Sequence, residues 1–197
     1  MSCPVNPPFM KVFFPSVFLL LLGLLTACSH GDKASAIGAT FDGEEDFVNA
    51  SFSGNKINPD QAADKCALLS ADVLADMVGI SADKISANPN PATGGCGYIV
   101  MYDEDRDYST AGFGLLQEVT GDEADWKDNW SVEKSISKTA EWVPGLGMAA
   151  MWKPRNRELK VKYDGYTLQV NAPAGPGKDE SETKDWAIAM VKKAGFE

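Results

Sequence analysis

Apolar and charged residues alternate along Leu159-Lys160-Val161-Lys162-Tyr163, and an apolar alternation resumes from Tyr166 to Val170 after Asp164-Gly165. A period of two predicts a pair of strands, and Asp-Gly between them predicts a type I′ hairpin turn. One face of such a pair is packed and the other is wet, which fits an antiparallel rather than a buried parallel sheet. Upstream, Thr139 to Val143 and Met148 to Trp152 read as strands separated by Pro144-Gly145, with a turn at Pro154 to Asn156. Two further strands are expected at Cys96 to Tyr102 and Ala111 to Val119, joined through DEDRDYST. The stretch SANPNPATGG, residues 86–95, reads as loop.

Elsewhere the period changes to that of a helix. Val73, Leu74, Met77 and Val78 share one stripe, with Ser70 placed as N-cap and Gly79 as the stop. Asn58-Pro59-Asp60 is a helix-start signal, and DQAADKCALL is expected to form a short helix behind it. Gly121-Asp122 opens a third helix, in which Trp126 and Trp130 stand at i and i+4. A last helix is expected from about Ser181 to Ala194, with Trp186, Met190 and Val191 facing inward. Its acids at Asp179 to Glu182 and its lysines at Lys192 and Lys193 suit the helix dipole. Helices at both ends and in the middle of antiparallel strands predict an α+β domain, a two-layer packing of sheet against helices.

The N-terminus follows another logic. Val12 to Leu25 is almost wholly apolar and follows Lys11, but it is too short for the ~20 residues that span a bilayer. A basic start, a short apolar core and small residues ahead of Cys28 are the parts of an export signal. Met10-Lys11 makes the more ordinary signal start, so residues 1–9 are expected to be upstream sequence. Leu25-Thr26-Ala27-Cys28 resembles a bacterial lipobox. That resemblance implies cleavage after residue 27, a lipid anchor (palmitate among its acyl chains) on Cys28, and a domain held at the cell or outer membrane. Several acyl chains, at ~0.8 kcal/mol per buried methylene, hold firmly where one would not. Ser29 resembles the outer-membrane sorting choice of enterobacterial lipoproteins, which would face the domain to the periplasm.

Charge narrows the partners. The chain carries a net charge of −10, and the segment removed with the signal holds Lys11 and no acid. So acidic a chain is repelled by phosphate backbones, and nucleic acid is not an expected partner. Nor do anionic headgroups attract it, which leaves anchoring to the lipid. Residues 28–58 are rich in Gly, Ser, Ala, Asn and Asp and read as a tether, with Phe41, Phe47 and Phe52 able to dock part of it. The Asn49-Ala50-Ser51 sequon carries no weight beside a bacterial lipobox. Residues 59–197 have the size of one domain with one core.

Of the four cysteines, Cys3 leaves with the signal and Cys28 goes to lipid. Cys66 and Cys96 remain, and two cysteines in an oxidising compartment most simply pair. They would close a loop of roughly 30 residues, stabilising by ~3–4 kcal/mol in the chain-entropy model. A redox or metal pair is the alternative, but the spacing is far from C-x-x-C and the single histidine, His30, lies beside the anchor.

Two parts of the domain carry a resemblance. One is Cys66-Ala67-Leu68-Leu69-Ser70, a short helix to Gly79, and Cys96 opening a strand. The other is Gly145-Leu146-Gly147-Met148-Ala149-Ala150-Met151-Trp152, two strands joined at Asp164-Gly165, and a closing helix. Together, over roughly residues 62–194, they are similar to small, mostly actinobacterial lipoproteins of unknown function. That resemblance implies an extracytoplasmic α+β domain with a Cys66–Cys96 bond, and no catalytic residue. Tyr98 stands where members often carry tryptophan.

No motif points to a reaction. Gly145-Leu146-Gly147-Met148-Ala149-Ala150 fits G-x-G-x-x-A, but Pro154 follows too soon for the helix that fingerprint needs, so a glycine turn entering a strand is expected. Asp103, Asp105 and Asp107 lack the Gly and Glu of a calcium loop, since Tyr108 and Gly114 hold those positions. His30 is outside the domain, which removes the usual base for a serine or cysteine nucleophile. No cofactor and no metal site are expected. Trp152 and Trp186 are assigned to the core. Trp126, Trp130 and Trp142 neighbour charged residues and are read as an exposed surface for an envelope protein, an apolar ligand or a sugar. The expected role is a non-catalytic, lipid-anchored binding or interaction module. The alternative is a carboxylate-dependent hydrolase of envelope polymers.

Overall fold

A computed structural model describes residues 47–103, 107–117 and 126–197, all within one compact unit, Gly43–Glu197. The lipobox and Cys28, His30, Phe41, Asp105 and Gly121-Asp122 lie outside the described residues.

The strands are β1 (Ile85–Asn90), β2 (Gly95–Met101), β3 (Tyr108–Gln117), β4 (Glu141–Trp142), β5 (Ala149–Lys153), β6 (Glu158–Tyr163) and β7 (Tyr166–Asn171). They form one sheet in the order β1-β2-β3-β7-β6-β5-β4, antiparallel at every pairing. The helices are α1 (Ala71–Val78), α2 (Trp126–Ile136) and α3 (Glu180–Lys193). The chain is an α+β protein with an antiparallel sheet against helices.

Register explains the core. Leu159, Val161 and Tyr163 of β6 share a face with Leu168, Val170 and Tyr166 of β7, all buried. The same face continues through Phe113, Cys96 and Tyr98, and α1 and α3 pack on it with Leu74, Ala187, Met190 and Val191. Both helix ends follow the sequence signals. The Ser70 side chain accepts from the Val73 amide, and Gly79 closes α1 at φ 77°, a conformation that only glycine adopts without strain. Asp179 and Glu182 form a reciprocal capping box at the start of α3.

The Cys66–Cys96 disulfide is present, with Cα atoms 5.0 Å apart. It ties a 3₁₀ turn, Lys65–Leu68, to β2. The expected helix over DQAADKCALL is instead two 3₁₀ turns, Pro59–Gln61 and Lys65–Leu68, started by the side chains of Asn58 and Asp64. These side chains offer the backbone local hydrogen bonds that compete with a continuous helix. The Tyr98 hydroxyl donates to the Leu69 carbonyl at 2.5 Å, a second link between the same segments.

Three further expectations need correction. Residues 86–90, read as loop, are the greater part of β1, with Pro89 opposite Cys96. An edge strand tolerates a proline because its outward amide has no partner to lose. The β6–β7 turn is not type I′, because that type needs positive φ at both central residues. Gly165 has φ 81°, while Asp164 is not among the positive-φ residues, the pattern of a type II turn. Finally, the face of β5 and β6 that alternation marks as wet is covered. A second, smaller cluster of Trp126, Trp130, Ala140, Ala149 and Met151 lies there, and Lys162 is fully buried within the fold.

Candidate aromatic groove

The second cluster begins with the lysines of β6. The Lys160 Nζ stands 5.1 Å from the Trp130 ring centre, and the Lys162 Nζ stands 5.5 Å from that of Trp126. Lys162 also donates to the Tyr163 carbonyl at 2.7 Å. A lysine stem is apolar and its ammonium favours an aromatic face, so a strand can carry lysine inward under two tryptophans. Glu133 of α2 pairs with Lys160 at 2.5 Å and with Lys153. Lys153 also meets Glu158 at 2.8 Å, and Gln169 donates to Glu158 at 2.6 Å. Burial alone would push the Glu133 carboxyl up, but hydrogen bonds from Lys153 and Lys160 outweigh it and hold the group below its ordinary value. Burial would likewise push Lys153 down, yet Glu133 and Glu158 hold it above the ordinary lysine range.

This arrangement corrects the reading of Trp126 and Trp130 as exposed. Both are buried, because their shared helical stripe faces the sheet while Lys127 and Asp128 turn to solvent. Charged sequence neighbours are therefore no sign of exposure on a helix, where i+1 and i+2 point elsewhere. Trp152 is buried as expected, and Trp186 is half-buried against the main core.

Trp142 is different. It is half-buried on the edge strand β4, and Phe47 lies flat against it, ring centres 4.0 Å apart. Phe47 also meets Trp126 edge-on at 6.0 Å, and Trp126 meets Trp130 in the same way at 6.0 Å. The four rings form a continuous path from the edge of the sheet to the middle of α2.

Asn49 holds Phe47 in place. Its amide donates to the Met148 carbonyl at 2.7 Å, and its side chain donates to the Gly147 carbonyl at 2.9 Å. Its Oδ1 accepts from the Ser51 amide at 3.0 Å, an Asx turn that bends the chain toward Phe52. The receiving turn, Pro144 to Met148, leads into β5 and no helix follows it. Gly147 has φ 52°, and a Cβ there would stand 2.4 Å from the Lys162 carbonyl, so only glycine fits. Leu146 is buried and pins the turn to the main core.

Between the Phe47–Ala50 strap and the Trp142–Leu146 turn runs a groove of about 330 Å³ floored by Ala149. None of its lining side chains is charged. Such a surface can seat an apolar group by area burial and ring contact. The pattern of the sequence marked Phe47 and Trp142 separately. Asn49, which brings them together, carried only the signal of a sequon. Among the described residues, no three or more His, Cys, Asp or Glu side chains gather as a metal site.

Comparison of the chain with protein-family models, with curated proteins and with solved structures returns no match.

Proposed function

We propose that this chain is a lipid-anchored envelope protein that binds rather than catalyses, and that the Phe47–Trp142 groove takes an acyl chain from the membrane to which the protein is tethered. The observation that carries this reading is the groove itself, an uncharged hollow of about 330 Å³ walled by a half-buried tryptophan in a chain of net charge −10. That volume is near the lower end for small-molecule sites. Position supports the choice of an acyl chain. Nineteen positions separate Phe47 from the lipobox cysteine Cys28, so the groove stays within roughly 65 Å of the anchor even with every residue extended. No helix among the described residues is long and apolar enough to cross a membrane.

Among the described residues, the carboxylates of Glu133 and Glu158 both meet Lys153. A hydrolytic acid needs a raised pKa, whereas Glu133 is held low. This supports binding over the hydrolase reading.

Metabolic labelling with a radioactive fatty acid tests the anchor. The wild-type chain should take up label and Cys28→Ala should not; equal labelling of the two refutes it. For the groove, N-phenyl-1-naphthylamine should gain fluorescence with the detergent-solubilised full chain. That gain should fall at least fivefold in Trp142→Ala, and an unchanged gain removes the groove from the account.

A further inference from the structure

Among the described residues, α2 covers the face of the sheet opposite α1 and α3 over β5 and β6. Elsewhere on that face Gly95, Gly114 and Thr167 are buried, Gly97, Gly112 and Asn171 are half-buried, and Asn88 and Tyr108 are exposed. Over β1, β2, β3 and β7 the register brings one row together, Asn88, Gly97, Gly112 and Asn171. Period-two alternation places every second residue of these strands on the same side. None of those positions is Asp, Glu, Lys or Arg, in a chain of which 23% is charged. The change is abrupt, because the next strand, β6, carries Glu158, Lys160 and Lys162 on this side.

The exposed apolar side chains here do not merge. Tyr108, 65% exposed, and Ile99 stand toward the β2–β3 turn, whereas Leu116 stands at the other end of β3. The glycine row lies between them. A stable protein–protein interface needs a continuous apolar centre, and this face has a polar, flat centre instead. Its floor is glycine backbone: a Cβ on Gly97 would find its nearest neighbour, the Asn88 carbonyl, 3.8 Å away, whereas one on Gly112 would stand 2.9 Å from the Cys96 carbonyl. Around that floor stand primary amides, which donate and accept at once, and an aromatic face. An uncharged surface offers no complement to a charged ligand and loses no ion hydration when it is covered. Sugar rings match each element, with hydroxyls for the amides and an apolar ring face for the tyrosine.

We propose that this face binds an uncharged polysaccharide, its rings lying over Gly97 and Gly112 between Asn88 and Asn171 and stacking on Tyr108. Tyr108 is four residues along β3 from Gly112, roughly 13 Å at strand rise, so the site spans a short oligosaccharide rather than one ring. The site is separate from the aromatic groove, and either can fail without the other.

Affinity electrophoresis tests this with the full-length chain in lauryldimethylamine oxide, through gels containing dextran, mannan, arabinogalactan or the anionic polygalacturonate. Retardation by at least one neutral polymer and none by polygalacturonate is expected. A Cβ at Gly97 stands in ordinary contact distance of its nearest neighbour, so Gly97→Val raises the floor and should weaken retention tenfold or more, with Tm reporting that the fold is kept. Tyr108→Ala, at an exposed position, should weaken it at least fivefold. Absence of retention by all three neutral polymers overturns the proposal, as does retention that survives both substitutions. A dimer in sedimentation velocity that Gly97→Val dissolves would overturn it too, by assigning the face to a second copy of the chain.

Discussion

Phe47 and Trp142 are stacked with ring planes 3° from parallel and centres 4.0 Å apart, although they are 95 positions apart in the chain. The contact joins the strap to the weakest edge of the sheet, the two-residue strand β4. Phe47→Ala should therefore cost about 1–3 kcal/mol, lost area burial plus about 1 kcal/mol of ring pairing. Urea unfolding measures it. A loss below about 0.3 kcal/mol would mean that the strap does not hold the edge.

Cys66 and Cys96 are 30 positions apart, and closing that loop removes chain entropy from the unfolded state. Reduction should lower stability by ~3–4 kcal/mol. Unfolding of the domain with and without dithiothreitol is the direct comparison, and equal midpoints would contradict the assignment.

Legibility in the sequence differed by element, for physical reasons. The caps of α1 were readable because they are local, Ser70 and Gly79 each acting within one turn; at α3 the acids were read for the helix dipole alone, and the Asp179–Glu182 capping box was not. The strands of the second half were readable because their inward face is uniformly apolar. β1 was not, since only Ile85 of its six residues is buried and an edge strand needs little apolar pattern. The cover over Lys160 and Lys162 was also invisible. Alternation reports chemical character, and a lysine beneath a tryptophan looks in sequence like a lysine in water. Half of the groove was legible, as two aromatics with no sign that Asn49 would join them.

The Glu133 network sets a pH window. Glu133 has a lowered pKa in the fold, so its contribution is present above the ordinary value of 4.5 and is lost as pH falls through the folded value. Lys153 has a raised pKa, so its contribution is present below 10.5 and is lost as pH rises through the folded value. Glu133 is 32% exposed at its side chain, and solvent screening reduces the gain. Glu133→Gln should cost about 1 kcal/mol at neutral pH, with the gap from wild type closing in acid. Chemical denaturation at a series of pH values checks both; a constant gap down to strong acid would contradict the network.

Tyr163 and Tyr166 stack at 5.2 Å, and both hydroxyls are buried without a hydrogen-bond partner among the described residues. Burial pushes Tyr166 up to about 12, with a smaller push from Asp60, and raises Tyr163 as well. Because burial disfavours the charged phenolates, the fold loses stability as pH climbs beyond 10.0, the ordinary value, toward the raised values. Tyr163→Phe should leave stability at pH 7 unchanged or raise it by about 1 kcal/mol, because it removes an unpaired polar group. It should also lessen the alkaline loss. A destabilisation of 2 kcal/mol or more in thermal unfolding would show that the hydroxyl is satisfied in solution.

Fluorescence quenching by brominated phospholipid tests the central claim most directly. The full-length chain is reconstituted in phosphatidylcholine vesicles with brominated acyl chains, and its tryptophan emission is compared with that in unbrominated vesicles. An acyl chain in the groove brings bromine against Trp142, so emission should fall in the wild type, and Trp142→Phe should lose most of that quenching. Emission that is the same in both vesicles, or quenching that Trp142→Phe leaves intact, would contradict the account.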